Sequence, residues 1–158
     1  MIRCGDSMFS LEHLYVSESE GHIIGIILWI KGALEWSDEV FLKCAEEQGL
    51  QISPYFERVK EEYFSYYSMT KDYEISIVNV CVDQKAHGKG IGKRMMQSFL
   101  SEECIHDTVC ELSVLKGNIP AIRLYSENGF VITDEMPGFS VDKQKPTCLQ
   151  MIRNKGMV

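Results

Sequence analysis

Hydrophobic and polar positions divide the chain into stretches with a two-residue period and stretches with a helical period. Two β-rich runs, 13–17 and 22–30, flank a polar turn that ends at Gly21, which predicts an antiparallel hairpin. Between 33 and 71, apolar residues recur at helical spacing, which predicts two inserted helices. Further strands are predicted at 73–82, 109–115, 130–133 and 147–153, with a helix after each of the first two. The predicted order is therefore ββααβαβαββ, without an internal repeat.

Glycine, proline and asparagine mark the predicted helix ends. Gly49 is predicted to end the first inserted helix, and Ser53 followed by Pro54 to cap and begin the second. The last helix is predicted to start at Asn118 and to stop at Gly129. The last two strands are predicted to be joined by a loop that contains Met136, Pro137 and Gly138.

The strand at 73–82 is largely apolar on both faces, which predicts a central strand covered on two sides. Strict alternation would place Ser76, Val78, Val80 and Val82 on one face, and Ile75, Ile77, Asn79 and Cys81 on the other. Cys81 has no histidine at a recognisable spacing, so it is interpreted as a packed thiol and not as a nucleophile.

Composition narrows the class of protein. The chain has 158 residues, 45% of them hydrophobic and 25% charged, values that predict one globular domain spanning 1–158. Its net charge of −7 argues against a nucleic-acid partner and weakly favours cationic or small-molecule partners. The six cysteines form no C-x-x-C pair and no metal-ligand pattern. The most apolar run, 22–30, is too short to span a membrane, so we expect a cytoplasmic protein with free cysteines.

A glycine-punctuated turn lies between the strand at 73–82 and the helix that follows it. Gly88, Gly90 and Gly92 alternate with Lys89 and Ile91, which keeps side chains away from the backbone where the helix begins. The start of a helix presents unpaired N–H groups and a positive dipole end, so this stretch suits a phosphate. The glycines alone leave open whether they serve a ligand or only the geometry of a tight turn.

Two motifs together resemble the GCN5-related N-acetyltransferase (GNAT) family. Residues 87–92, read as His-Gly-Lys-Gly-Ile-Gly, are similar to its signature Gln/Arg-x-x-Gly-x-Gly/Ala. Residues 118–130, which include Ala121 and Leu124, resemble the later helix of that family. The resemblance runs from about 73 to 153, and the predicted hairpin agrees with the family's early strands.

This resemblance implies a mixed α/β fold: a twisted, mostly antiparallel sheet with helices on both faces and two central parallel strands splayed into a V. The strands at 73–82 and 109–115 would form the V and hold the pantetheine arm of acetyl-CoA, with its pyrophosphate on the start of the next helix. Tyr125 matches the residue that often protonates the departing thiolate, although packing in the core would also explain a tyrosine there. The cofactor-binding residues implied are Val80, Val82, His87, Gly88, Lys89, Gly90, Ile91, Gly92, Lys93 and Asn118.

Three features depart from the family pattern. His87 replaces the usual Gln or Arg, which predicts weaker or pH-sensitive cofactor binding. The chain before 13 is too short for the family's usual first strand and its following helices. The helical insertion at about 33–71 is longer than the usual link between those strands.

The implied reaction is direct attack of a primary amine of a small molecule or peptide on acetyl-CoA. An alkylamine of pKa about 10.4 must lose a proton, at a cost of roughly 4.6 kcal/mol at pH 7. Glu74 is a weak candidate for the base and Asn79 could orient a water, so the base stays unassigned. Negative charge favours a cationic acceptor, and a homodimer is left open.

Two alternatives belong to other classes of protein. The first is a CoA-binding module without catalytic activity, which the short N-terminus and His87 would explain. The second is a dinucleotide-binding oxidoreductase, which is disfavoured because the glycine spacing is G-x-G-x-G and not G-x-G-x-x-G.

Overall fold

The computed structural model describes residues 11–32, 37–52, 54, 56–58, 60–61, 74–104, 108–138 and 146–154. Its strands are β1 (Leu14–Ser19), β2 (His22–Lys31), β3 (Ile75–Val82), β4 (Cys110–Leu115), β5 (Val131–Pro137) and β6 (Thr147–Arg153). Its helices are α1 (Asp38–Glu47), α2 (Ile91–Glu102) and α3 (Ile119–Glu127), and 3₁₀ turns occupy Leu11–His13 and Gln84–Ala86. Residues 56–58 and 60–61 are also helical. The rest of the stretch predicted as the second inserted helix, including the cap predicted at Ser53, lies outside the described residues.

The six strands form one mixed sheet in the order β1-β2-β3-β4-β6-β5. Only β3 and β4 are parallel, and the other four neighbouring pairs are antiparallel. The sheet therefore confirms the predicted mixed architecture, its hairpin and the central position of β3. In the part of the chain that is described, no helix is both long and apolar enough to cross a membrane.

Local turn chemistry explains several element boundaries. Glu20 and Gly21 join β1 to β2 with φ values of 53° and 75°, as a two-residue hairpin turn with the twist of its strands requires. Gly49 has a φ of 65°, and the Leu50 amide donates to the Ala45 carbonyl at 2.9 Å, so α1 ends at the predicted glycine. β5 is longer than predicted: Met136 pairs with Cys148 in β6, so it belongs to the strand and not to the loop.

A β-bulge at Val78 changes which residues of β3 share a face. Trp29 of β2 pairs with Ile77, whereas Leu28 pairs with Asn79, so Val78 is an extra residue in the ladder. The strict alternation predicted from the sequence is therefore wrong beyond Ile77. Val80 lies on the same face as Ile77, because it pairs with Ile27, two residues before Trp29. The bulge thus turns the second half of β3 so that its valines face the core.

The main core lies between this face of the sheet and the helices α2 and α3. Its fully buried residues include Ile27, Ile75, Met96, Phe99, Cys110, Leu112, Phe130 and Met151. Burying each large apolar side chain contributes about 1.5–3 kcal/mol. Leu28 and Ile30 are buried on the opposite face. The core holds the start of α2 against the carboxyl end of β3, which is where the candidate site lies.

Candidate functional site

The two parallel strands separate after a short ladder. They pair only from Ile75 with Cys110 to Ile77 with Leu112. Beyond this, β3 continues to Val82 and β4 to Leu115, with no pairing between them. Within the described parts of the chain, the gap leaves one edge of β3 open, as the predicted V requires. Cys81 is exposed in this second half of β3, so its prediction as a packed thiol is wrong: the neighbouring strand has moved away.

The glycine turn brings backbone amides to the open end of β3. Gly88 and Gly90 adopt left-handed conformations, with φ values of 72° and 70°. Gly90 is the N-cap of α2 and offers no side-chain cap, and the Arg94 amide donates to its carbonyl at 3.1 Å. The amides of 91–93 therefore precede the first intrahelical bond, which is where helices bind anions. The φ values of Gly88 and Gly90 confirm the interpretation as a tight turn. The ligand interpretation stays a prediction, and the uncapped amides are compatible with it.

Gly92 contributes to packing and not to the turn. A Cβ atom built on it would lie 3.6 Å from Val82 Cγ2 and 3.7 Å from Leu124 Cδ2, which is ordinary van der Waals contact. The start of α2 thus lies close to both β3 and α3. Because of this close approach, β3, α2 and α3 together form one concave surface.

His87 ties the turn to the end of β3. Its Nε2 lies 2.9 Å from the carbonyl oxygen of Val82 and therefore carries the proton of this hydrogen bond. The neutral Nε2–H tautomer and the imidazolium can both donate this bond. In the structure, His87 fixes the loop to the strand, whereas the resemblance implied contact with the cofactor.

One cavity of about 830 Å³ collects most of the predicted site. Of the predicted residues it is lined by Val80, Val82, His87, Gly88, Gly90, Ile91, Gly92, Lys93, Asn118 and Tyr125. Lys89 is exposed and does not line it. Sequence reasoning missed the wall formed by α3, which includes Ala121, Arg123, Leu124 and Glu127. The helical periodicity that groups Ala121 and Leu124 with Tyr125 was a signal for part of this wall, whereas no local pattern indicated Arg123 or Glu127.

The rim of the cavity carries two cations around one carboxylate. Arg123 Nε lies 2.9 Å from Glu127 Oε1, and Lys93 Nζ lies 3.1 Å from Glu127 Oε2. These hydrogen bonds, that of Arg123 first, lower the pKa of Glu127. Exposed ion pairs of this kind are weak, so an anionic ligand can compete for either cation. The rim therefore has a net positive charge beside the uncapped amides of α2.

Tyr125 belongs both to the core and to the cavity. It is 8% exposed, and its ring packs edge-on against Phe130 with centroids 6.0 Å apart. Burial raises the pKa of Tyr125 to about 12, and an electrostatic interaction with Cys81 adds to the rise. The phenol is therefore protonated at neutral pH, as a donor to a departing group must be.

Asn118 and Glu74 have structural partners. Asn118 Oδ1 accepts a hydrogen bond from the Ala121 amide at 3.3 Å, so the predicted N-cap of α3 forms beside the cavity. Glu74 lies just before β3, at the opposite end of the strand from Val82, and accepts a hydrogen bond from the Val109 amide at 2.9 Å. Its carboxylate therefore joins the starts of β3 and β4 at the closed end of the V.

Comparison with known protein families shows to which family this chain belongs. The sequence model of the acetyltransferase (GNAT) domain matches residues 44–132, more than half of the chain. The chain belongs to the GNAT acetyltransferase family. No match was found among curated proteins.

Solved structures share the GNAT fold of this chain at low sequence identity. An N-acetyltransferase from Staphylococcus aureus is 20% identical with a TM-score of 0.61, and the match covers 92% of this chain and 72% of that one. Arabidopsis thaliana Naa50, in complex with the bisubstrate analogue CoA-Ac-MVNAL, is 17% identical with a TM-score of 0.56, covering 90% and 73%. Salmonella typhimurium yncA with its cofactor acetyl-CoA is 18% identical with a TM-score of 0.54, covering 90% and 64%.

Proposed function

We propose that this GNAT domain, formed by residues 1–158 as one unit, transfers the acetyl group of acetyl-CoA to an amine. The observation that carries the proposal is the junction of the open edge of β3 with the uncapped start of α2 in one cavity. An extended amide-containing chain ending in phosphates requires both surfaces, because strands bind amides along an edge and helix starts bind anions. The two relatives solved with acetyl-CoA or a CoA conjugate support this choice of cofactor.

The residues present fit such a cofactor in three places. The backbone at Val80 and Val82 would pair with the pantetheine amides, since no strand among the described residues occupies that edge. The amides of 88–93 would hold the pyrophosphate, with Lys93 and Arg123 supplying cations at the rim. His87 would act indirectly, because its bond to Val82 keeps the loop next to the strand.

Acetyl-CoA supplies a thioester carbonyl for attack and a thiol as leaving group. Tyr125 would donate a hydrogen bond to the sulfur as its negative charge develops. Complete proton transfer from a phenol of pKa about 12 to a thiolate of pKa about 8.5 costs roughly 4.8 kcal/mol. A strong hydrogen bond to the sulfur is therefore the less costly contribution of Tyr125.

The acceptor would approach from the sheet face opposite α2 and α3. Those helices lie on one side of the opening, where the cofactor would bind, whereas Asn79 and Cys81 are exposed beyond the bulge, on the other side. We propose a cationic primary amine of a small molecule or a peptide, on the basis of the net charge of −7. Glu74 lies at the closed end of the V, so it is not placed to deprotonate the amine. The rate of acetyl transfer should therefore rise with pH as the fraction of unprotonated amine grows.

Two measurements test the proposal in sequence. Acetyl-CoA at about 100 times its Kd should raise the Tm by roughly 5–10 °C, whereas NAD at the same concentration should not. Thiol release from acetyl-CoA should then accelerate with at least one member of a panel of polyamines, amino acids and peptides. Stabilisation by NAD alone would overturn the cofactor assignment. Tight acetyl-CoA binding without turnover on any amine would instead favour a CoA-binding module.

A further inference from the structure

Cys104 and Cys110 lie outside the sequence motifs but are in contact in the fold. Cys104 follows the end of α2 and Cys110 is the first residue of β4. The Cys110 thiol donates a hydrogen bond to Cys104, with the sulfur atoms 2.6 Å apart. They are 8% and 0% exposed, and both are free thiols. A disulfide needs a separation of about 2.05 Å, so a shift of about half an ångström would allow the bond.

A cation lies beside this pair. Arg153 of β6 is the direct cross-strand neighbour of Cys110, so their side chains share a face of the sheet. Within the described residues, the buried Nε of Arg153 has no hydrogen-bond partner. A nearby guanidinium favours the thiolate over the thiol, and thiolates are the reactive form of cysteine. The hydrogen bond from Cys110 and then the charge of Arg153 lower the pKa of Cys104, against the effect of burial.

The two thiols differ in their protonation. The interaction with Cys104, followed by burial, raises the pKa of Cys110. Cys104 is therefore the first nucleophile, and it is also the more exposed residue of the two. Cys110 is placed to attack second.

We propose that Cys104 and Cys110 form a modification site at which a low-molecular-weight disulfide oxidises both thiols to an intramolecular disulfide. The Cys104 thiolate attacks one sulfur of the small disulfide, forms a mixed disulfide and releases the first small thiol. Cys110 then loses its proton, attacks Cys104 Sγ and displaces the second small thiol. The protein dithiol is oxidised by two electrons, the small disulfide is reduced by two, and both protons end on the released thiols.

The new bond would connect the end of α2 to the start of β4. α2 begins at the glycine turn and β4 forms one arm of the V, so the bond would join two elements that frame the cavity. Closing the loop 104–110 restricts the unfolded chain, so the oxidised protein should melt roughly 4–8 °C higher than the reduced one. This inference is independent of the proposed acetyl transfer.

The test treats the full folded chain with oxidised glutathione and maps each cysteine by alkylation and peptide mass spectrometry. We expect a peptide that contains both Cys104 and Cys110, with the mass lowered by two hydrogens and no glutathione on either residue. Dithiothreitol should reverse both the link and the rise in Tm. Cys81→Ser removes an exposed thiol outside the pair and should keep the link, whereas Cys104→Ser should abolish it.

Three results would overturn the proposal. The first is alkylation of both cysteines in the oxidised folded protein, and the second is a stable glutathione adduct on Cys104 without attack by Cys110. The third is a link that forms only after unfolding in urea. All three results are measured on the wild-type protein, so the test does not depend on whether the Cys104→Ser variant folds.

Discussion

Tyr125 illustrates how one residue serves the core and the candidate site together. Its ring is buried against Phe130, and its side chain also lines the cavity together with Val80 and Val82 of the open strand. Burial holds the ring in place and also raises the pKa of the phenol to about 12. The packing that stabilises the fold therefore keeps the group protonated for its proposed role as a donor.

We expect Tyr125→Phe to lower kcat by roughly 10-fold to 100-fold and to leave the Kd for acetyl-CoA nearly unchanged. The variant keeps the buried ring and removes only the hydroxyl, and a hydrogen bond to a developing charge contributes about 1.5–3 kcal/mol. Steady-state kinetics with the active amine and calorimetric titration of acetyl-CoA separate the two effects. An unchanged kcat would restrict Tyr125 to packing.

At the scale of elements, the start of α2 depends on two glycines for different reasons. Gly90 has a φ of 70°, in the left-handed region, whereas Gly92 needs only space near Val82 and Leu124. A side chain at Gly90 would strain the turn or move the amides that it positions. A methyl group at Gly92 would make ordinary contacts and would favour the helix.

Gly90→Ala should therefore lower the free energy of unfolding by about 1–2 kcal/mol and weaken acetyl-CoA binding. Gly92→Ala is the matched control and should leave the free energy of unfolding unchanged or raise it by up to about 1 kcal/mol. Urea denaturation compares the two variants, and titration with acetyl-CoA compares their affinities. If both variants lowered the free energy of unfolding equally, packing and not the φ value would explain the loss at both positions.

Local sequence predicted the elements of this fold better than the contacts between them. Gly49 and Gly129 mark helix ends through their own conformational freedom, and the glycine turn at 87–90 runs directly into the start of α2, so these features follow from a short stretch of chain. The bulge at Val78 arises from the register between two strands, which no residue of β3 encodes alone. The wall of the cavity at Arg123 depends in the same way on how α3 packs beside α2.

At the scale of the whole molecule, one buried carboxyl group makes the stability of the fold depend on pH. Glu111 of β4 is 3% exposed, and its Oε2 has no hydrogen-bond partner in the described part of the chain. Burial raises its pKa above 4.5, and interactions with Ser76 and Gln150 only partly oppose this rise. A raised folded pKa favours folding below pH 4.5, and this contribution is lost as the pH rises through the folded pKa. At neutral pH, the buried Glu111 carboxyl group therefore contributes less to the free energy of unfolding than it does below pH 4.5.

We expect Glu111→Gln, which keeps the shape and removes the charge, to unfold at higher urea concentration than the wild type at pH 7. The difference in unfolding free energy between variant and wild type should grow as the pH rises above 4.5 and level off once Glu111 is ionised in the folded protein. Glu18→Gln, at an exposed carboxylate of β1, is the matched control and should change the free energy of unfolding only slightly. Subtracting the wild-type curve at each pH removes the contribution of other titrating groups. A difference that is independent of pH, or that shrinks as the pH rises, would contradict the assignment of this titration to Glu111.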